Sequence, residues 1–313
     1  MNTIAVLGAT SHIAKDYIRL ALAAGYDMRL FSRRPGEVAD WLSDMPAFVG
    51  QAASLDYCNF TKGRYDAILN FVGSGDPART AKMGAEVFDV TETFDRMASE
   101  ALRRSPQTRY LFLSSGAAYG LTFLEPVTAA TPARLSLNAF SSQEYYSVAK
   151  LYAECRHRAQ VDHAIVDLRV FGYFSHTANS GARFFISDIL RAIQSGTELE
   201  TGEVTMWRDY MTPKDFFALV EAVLASPPAN CALDTYSRAP VEKFALLDAF
   251  DEEFGLRYRV VTSPVVVTAT GAKPMYYSLN RKAAEFGYSP RVTALEGVIS
   301  ESRDWLAANA GTP

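Results

Sequence analysis

Tyr146 and Lys150 stand four residues apart in the stretch EYYSVAK (144–150). On a helix that separation is about one turn, so the phenol and the ammonium project from the same face. A tyrosine with a cation beside it is a candidate acid/base, because the positive charge favours the phenolate of a group whose ordinary pKa is about 10. Two amphipathic side chains lining a helix surface would give the same spacing, and the pair alone does not separate the two meanings.

The elements around the pair narrow the choice. The opening stretch NTIAVLGATSHIAKDYIRLALAAGYDMRLFSRRPGE runs as an apolar strand (Ile4 to Leu7), a glycine turn at Gly8, an amphipathic helix ending at Ala24-Gly25, and a second strand (Met28 to Phe31). A βαβ unit of this size offers free N–H groups and the positive end of a helix dipole to a phosphate. Ser11 is placed to cap that helix, and Ala14 is small enough for close packing on the strand. Apolar AFVG (47–50), a strand DAILNFVG (66–73), a long helix over 78–104, a strand RYLFLSS (109–115), the helix that carries EYYSVAK and a strand HAIVDLRVFG (163–172) continue the alternation. This order predicts an α/β fold, a doubly wound parallel sheet of Rossmann type. The stretch 120–142, rich in Pro, Thr, Ala and Ser, is expected to be a long functional or mobile loop.

Composition removes other classes of function. The 313 residues, 49% hydrophobic, are enough for one large core or a large and a smaller one. Lys plus Arg number 31 against 35 Asp plus Glu, a net charge of -4, which leaves no electrostatic footprint for nucleic acid or an anionic membrane. Cys58, Cys155 and Cys231 form neither a CxxC motif nor a Cys/His ligand spacing, so neither a disulfide framework nor a bound metal is expected. A reducing cytoplasm is the expected location, with no membrane span and no leader ahead of the first strand.

Taken in order, the motifs resemble those of the short-chain dehydrogenases/reductases, and within them the extended, nucleotide-sugar-modifying branch, the NAD(P)-dependent epimerase/dehydratase family. GATSHIA (8–14) is similar to the glycine-rich turn, DAILNFVG to the strand that ends near the cofactor ribose, and LFLSSGAAYG (111–120) to Ser-Ser-Ala-x-x-Tyr-Gly. YYSVAK supplies Tyr-x-x-x-Lys, LRVFG (168–172) resembles Leu-Arg-x-Phe, and WRDYMTPKD (207–215) resembles Arg-Asp-Tyr/Phe-x-x-x-x-Asp, with a weaker match in LNRKAAEFGYSPRVTALEGV (279–298). The resemblance implies catalysis by Ser115, Tyr146 and Lys150: Tyr146 exchanges a proton with the substrate oxygen, Ser115 holds that oxygen, and Lys150 lowers the phenol pKa and bonds the nicotinamide ribose. It also implies cofactor contacts from Gly8, Thr10, Ser11, His12 and Ile13, from Asn70, Phe71 and Val72, and from the end of the second strand.

There an NAD binder usually carries an acid, whereas this chain has Ser32, Arg33 and Arg34, which suit a 2′-phosphate. NADP(H) is therefore the preferred cofactor, with NAD(H) as the other possibility. Gln51 takes a position where relatives often have an aspartate near the adenine. The dehydratases of the family carry Thr-Asp-Glu where this chain has Ser115-Gly116-Ala117, so hydride transfer without elimination remains: an NADP-dependent reduction of a (4-)keto group on a nucleotide-diphosphate sugar. A 4-epimerase is the alternative, and a non-catalytic NADP-binding regulator a lower one.

Residues 1–172, with a returning strand near 230–239, are expected to form the dinucleotide domain; 173–229 and 240–313 are expected to form the substrate part. Substrate contacts are implied for Arg208, with Arg183 and Lys273 as further cations, although Gly172 stands where relatives often have Asn. The resemblance also suggests a homodimer through the helices near 78–104 and 143–160.

Overall fold

A computed structural model describes residues 3–73, 77–179, 181, 184–262 and 273–310. The first half of the chain alternates as expected. It runs β1 (Thr3–Leu7), α1 (His12–Ala23), β2 (Asp27–Phe31), α2 (Pro35–Ser43), β3 (Ala52–Leu55), β4 (Ala67–Asn70), α3 (Pro77–Met83), α4 (Glu86–Arg104), β5 (Arg109–Ser115), α5 (Tyr145–Arg158) and β6 (Ile165–Val170). The second half follows with α6 (Phe185–Ser195), β7 (Leu199–Gly202), β8 (Trp207–Arg208), α7 (Pro213–Ala225), β9 (Cys231–Asp234), β10 (Val241–Glu242), α8 (Lys243–Phe254), β11 (Tyr258–Val261), β12 (Met275–Tyr276) and α9 (Ala294–Ala308).

Seven parallel strands make the main sheet, in the order β3-β2-β1-β4-β5-β6-β9. The order reverses between β1 and β4, the switch point at whose carboxyl ends such sheets bind ligands. Both faces are covered, and the strand residues divide between them by parity. Ile4, Val6, Ala67 and Leu69 join the core under α1 and α7, while Ala5, Leu7, Ile68, Tyr110 and Phe112 join the core under α4 and α5. A buried polar chain stitches that second face together. Asn70 donates to the Tyr110 hydroxyl, which donates to Asp95 at 3.1 Å, and His157 bridges Asp95 and Asp167 at 2.6 and 2.5 Å.

Three expectations shift. The third strand is Ala52–Leu55 and not AFVG, since Met28 and Phe31 of β2 pair with Ala52 and Leu55; small residues fill the tight edge where an apolar run was anticipated. Gln51 therefore lies at the amino end of β3, its N–H on Asp27, and Asp56 takes the carboxyl end. The long helix over 78–104 breaks into α3 and α4 around Gly84, whose φ of +53° lies in the left-handed region. Within 173–229, α7 belongs to the large layer: Phe216, Leu219, Val220 and Val223 share a core with Ile4 and Ile18. The smaller layer is built from α6, α8 and α9 around Phe250 and Trp305, beside a three-stranded sheet β10-β8-β12 and the pair β11-β7. The 120–142 segment is tied to that layer, Val127 N–H donating to Tyr277 at 2.9 Å.

Candidate active site

Gly8 turns at φ +80° directly after β1, and a Cβ there would lie 2.9 Å from the Val72 nitrogen. Only glycine permits this approach of two chain segments at the switch point. Ser11 caps α1, its Oγ accepting from Ala14 N–H at 3.3 Å, as the spacing predicts. The cradle fits a dinucleotide pyrophosphate: a bare glycine turn, a helix N-terminus and no acidic residue in the first turn of α1. One donor is already engaged, because Gly8 N–H bonds the Tyr57 hydroxyl at 3.0 Å. Thr10, Ser11, His12 and Ile13 are all partly exposed at this turn. His12 Nε2 reaches Ser175 Oγ at 2.6 Å, and burial lowers the His12 pKa below its usual value.

The three residues at the carboxyl end of β4 are placed differently from what their motif suggests. Asn70 is buried, its side chain committed to the Tyr110 hydroxyl and to Val72 N–H at 2.9 and 3.0 Å, so it shapes the turn from beneath. Phe71 packs inward on Tyr17 and Phe216. Val72 is half-buried and its N–H is taken by Asn70.

At the end of β2, Ser32 is buried and its Oγ accepts from Arg34 N–H. The Arg34 guanidinium pairs with Glu37 at 2.6 Å in solvent, whereas exposed Arg33 has no carboxylate partner among the described residues. Asp56 and Tyr57, missed in the sequence because the third strand was displaced, stand on the neighbouring strand end.

β5 delivers Ser115 to the carboxyl edge of the sheet, and the first turn of α5 delivers Tyr146 above it. The Tyr146 hydroxyl lies near enough to Ser115 for the serine hydroxyl to act on its pKa. Burial pushes the Tyr146 pKa above the ordinary phenol value, with the neighbouring Tyr276 adding to the rise and the Ser115 hydroxyl opposing it. The amino end of α5 acts in the same sense as Ser115, since a helix N-terminus favours a negative oxygen. Lys150 is buried, with Nζ 2.8 Å from the Leu113 carbonyl and 5.8 Å from the Tyr146 ring centre. Burial brings the Lys150 pKa down to about 8, against the opposing pull of Glu154, Asp167 and Asp95. Gly73, with φ +142°, leaves Nζ free space towards the cofactor turn.

No carboxylate flanks Ser115 in sequence, and there is no room for one at 116. A Cβ on Gly116 would fall 2.6 Å from the Phe171 ring. Gly172 is constrained in the same way, a Cβ there lying 2.4 Å from the Asp209 carbonyl oxygen, so the Asn that relatives carry cannot be seated.

Arg208 does not pair with Asp209 or Asp215. Asp209 accepts from Ser237 N–H and Asp215 from Arg291 N–H, while Arg208 donates to the carbonyl oxygens of Trp207 and Lys273 at 2.8 and 2.6 Å. Lys273 Nζ lies 4.7 Å from the Tyr276 ring centre, and burial together with Arg208 brings its pKa down to about 8. Neither cation has a carboxylate partner among the described residues. Arg183 lies outside the described residues. A separate cleft of about 800 Å³ beside β9 also shows arginines; Arg158 and Arg169 there are paired with Asp167 and Glu154, and Arg281 donates to the Ser278 carbonyl.

A model of the NAD dependent epimerase/dehydratase family matches residues 4–237. No curated protein matches the chain. Among solved structures, a UDP-glucose 4-epimerase from Stenotrophomonas maltophila, with bound NAD and formylated UDP-arabinopyranose, is similar over 100% of both chains at 16% identity and TM-score 0.79. A UDP-glucose 4-epimerase from Bifidobacterium longum in complex with NAD+ and UDP covers 99% of both chains at 18% identity and TM-score 0.74. A dTDP-glucose 4,6-dehydratase from Bacillus anthracis in complex with NAD covers 99% of this chain and 98% of its own at 14% identity and TM-score 0.76. These likenesses establish the shared fold. The family match takes in the glycine turn, the Ser115 strand end and the Tyr146–Lys150 helix together, and the chain belongs to the NAD dependent epimerase/dehydratase family, nicotinamide-dependent enzymes of the extended short-chain dehydrogenase/reductase type.

Proposed function

We propose that the enzyme reduces a keto group, the C4 ketone by analogy with the family, on a nucleotide-diphosphate sugar, with NADPH as hydride source. The observation that carries this reading is the setting of Ser115: the Tyr146 phenol stands beside it, Lys150 is fixed to the strand two residues before it, and Phe171 bars an acid from position 116. That set moves one proton at one oxygen and has no second acid and base for eliminating water. When bound, the reduced nicotinamide supplies the hydride. Tyr146 then gives its proton to the oxygen that Ser115 holds, and Lys150 favours the phenolate left behind. Arg33, without a carboxylate partner, supports the 2′-phosphate, and the Arg208–Lys273 pair supports a diphosphate. The same reading pairs two copies through α4 and α5, which pack side by side.

Mixing the protein with NADPH and a panel of nucleotide-diphosphate 4-keto sugars, while following loss of the reduced-nicotinamide absorbance, tests this directly. Stoichiometric oxidation of NADPH with one member of the panel is expected. A second reading, 4-epimerisation, is favoured by the epimerases among the structural relatives. It predicts interconversion of two nucleotide sugars with no net change in that absorbance, and such a result would displace the reductase.

A further inference from the structure

Tyr276 stands on β12 in the smaller layer, yet its hydroxyl lies 3.4 Å from Ser115 Oγ at the end of β5. The ring is fixed from several sides. Phe123 meets it edge-on at 4.7 Å, Phe171 lies at 5.2 Å, and the Lys273 and Arg208 cations sit 4.7 and 5.9 Å from its centre. Positive charge next to a phenol strengthens it as a donor, because it stabilises the negative oxygen that donation develops.

A serine hydroxyl has one proton and two lone pairs. One lone pair of Ser115 accepts the Ala117 N–H at 3.1 Å. The Tyr276 hydroxyl, 3.4 Å away, can fill the other by donating its proton. With Ala117 and Tyr276 both donating, the lone pairs of Ser115 are filled, and its own proton is left for the Tyr146 hydroxyl or a substrate oxygen beside it. Catalytic hydrogen bonds as long as 3.4 Å draw in when the reacting group fills the site.

We propose that Tyr276 is a positioning residue: supplied across the cleft by the smaller layer, it fixes Ser115 as a hydrogen-bond donor towards the reacting oxygen. Without that hydroxyl a lone pair of Ser115 is released, Tyr146 donates into it, and the proton to be transferred is tied up in a neutral phenol. The turnover arm of the test rests on the proposed reductase function; the titration arm does not.

The test uses wild type, Tyr276→Phe, Ser115→Ala and the double variant, each saturated with NADP+ and titrated by phenolate absorbance against its own Tyr146→Phe counterpart. The cycle removes Tyr276's direct effect on the Tyr146 phenol: set against its effect in the Ser115→Ala background, Tyr276→Phe is expected to raise the Tyr146 midpoint by about one pH unit, roughly the tenfold effect of one hydrogen bond. Single-turnover hydride transfer should likewise fall about tenfold, with the sugar-nucleotide KM unchanged and no further loss on top of Ser115→Ala. An equal shift of the Tyr146 midpoint, or an equal loss of rate, in both backgrounds overturns the proposal. Absence of turnover with every keto sugar would count against the reductase while leaving the titration to decide Tyr276. If Tyr276→Phe unfolds early, Phe123→Leu disturbs the same packing without touching the hydroxyl; a Tyr146 midpoint that moved equally there would assign the effect to packing and overturn the proposal.

Discussion

Lys150 Nζ donates to the carbonyl oxygen of Leu113, two residues before Ser115 on the same strand. The lysine of α5 is thereby bolted to β5, and the register between Tyr146 and Ser115 is held by a bond that involves neither.

Tyr146→Phe removes one hydroxyl and keeps the ring, so kcat should fall by about 10² to 10⁴, the usual contribution of a positioned general acid, while cofactor affinity barely moves. Lys150→Ala should impair both and also destabilise the fold, because the Leu113 carbonyl loses its charged donor, a cost of about 1–3 kcal/mol. Tyr145, packed between Phe88 and Phe140, is the internal control, and Tyr145→Phe should leave hydride transfer largely intact. Near-normal single-turnover rates in Tyr146→Phe would remove the phenol from the mechanism.

Arg33→Ala should weaken NADPH about tenfold or more and leave NADH unchanged, since a charge-assisted contact to phosphate contributes roughly 1.5–3 kcal/mol. Arg34→Ala should matter less, its guanidinium being already paired with Glu37. Calorimetry with both cofactors decides; equal affinities in the wild type would point to NAD instead.

Arg208→Ala and Lys273→Ala should each raise the KM for the sugar nucleotide with little change for NADPH, because both cations lie on the Tyr276 side of the cleft and neither has a carboxylate to fall back on. Initial rates at varied substrate report it, and an unaltered KM in both variants would place the diphosphate elsewhere.

His157 should give the fold a distinctive alkaline sensitivity. Burial alone would lower its pKa, but the hydrogen bonds and charges of Asp167 and Asp95 prevail and raise it to about 9 from the ordinary value of 6.5. A histidine held protonated in the fold contributes stability that is complete below pH 6.5 and is lost as pH rises through about 9, on the order of 3 kcal/mol. Denaturant unfolding should show that decline, and His157→Gln should flatten it.

Local pattern revealed the fold and half of the candidate site. Strand, glycine turn and helix leave a periodic imprint, so Gly8, Ser11, Ser115, Tyr146 and Lys150 were legible from spacing and motif. The third strand was not, because AASL at the sheet edge packs small residues where an apolar run was sought. Tyr276 was invisible for another reason. It is separated from Ser115 by 161 positions and brought there by β12 pairing on β8, and no local motif marks such a meeting. Asn70 and Phe71 matched a cofactor motif, yet burial turned their side chains to structural use.

The two crowded glycines also set the order in which this site could be changed. An aspartate at 116 meets the Phe171 ring, and an asparagine at 172 meets the Asp209 carbonyl, so neither side chain can be introduced by a single substitution. Phe171 must shrink before position 116 can gain an acid, and the 209–210 backbone must move before position 172 can gain an amide. Laboratory evolution towards dehydration would thus have to begin at Phe171; soluble yield of Gly116→Asp with and without Phe171→Ala measures that constraint.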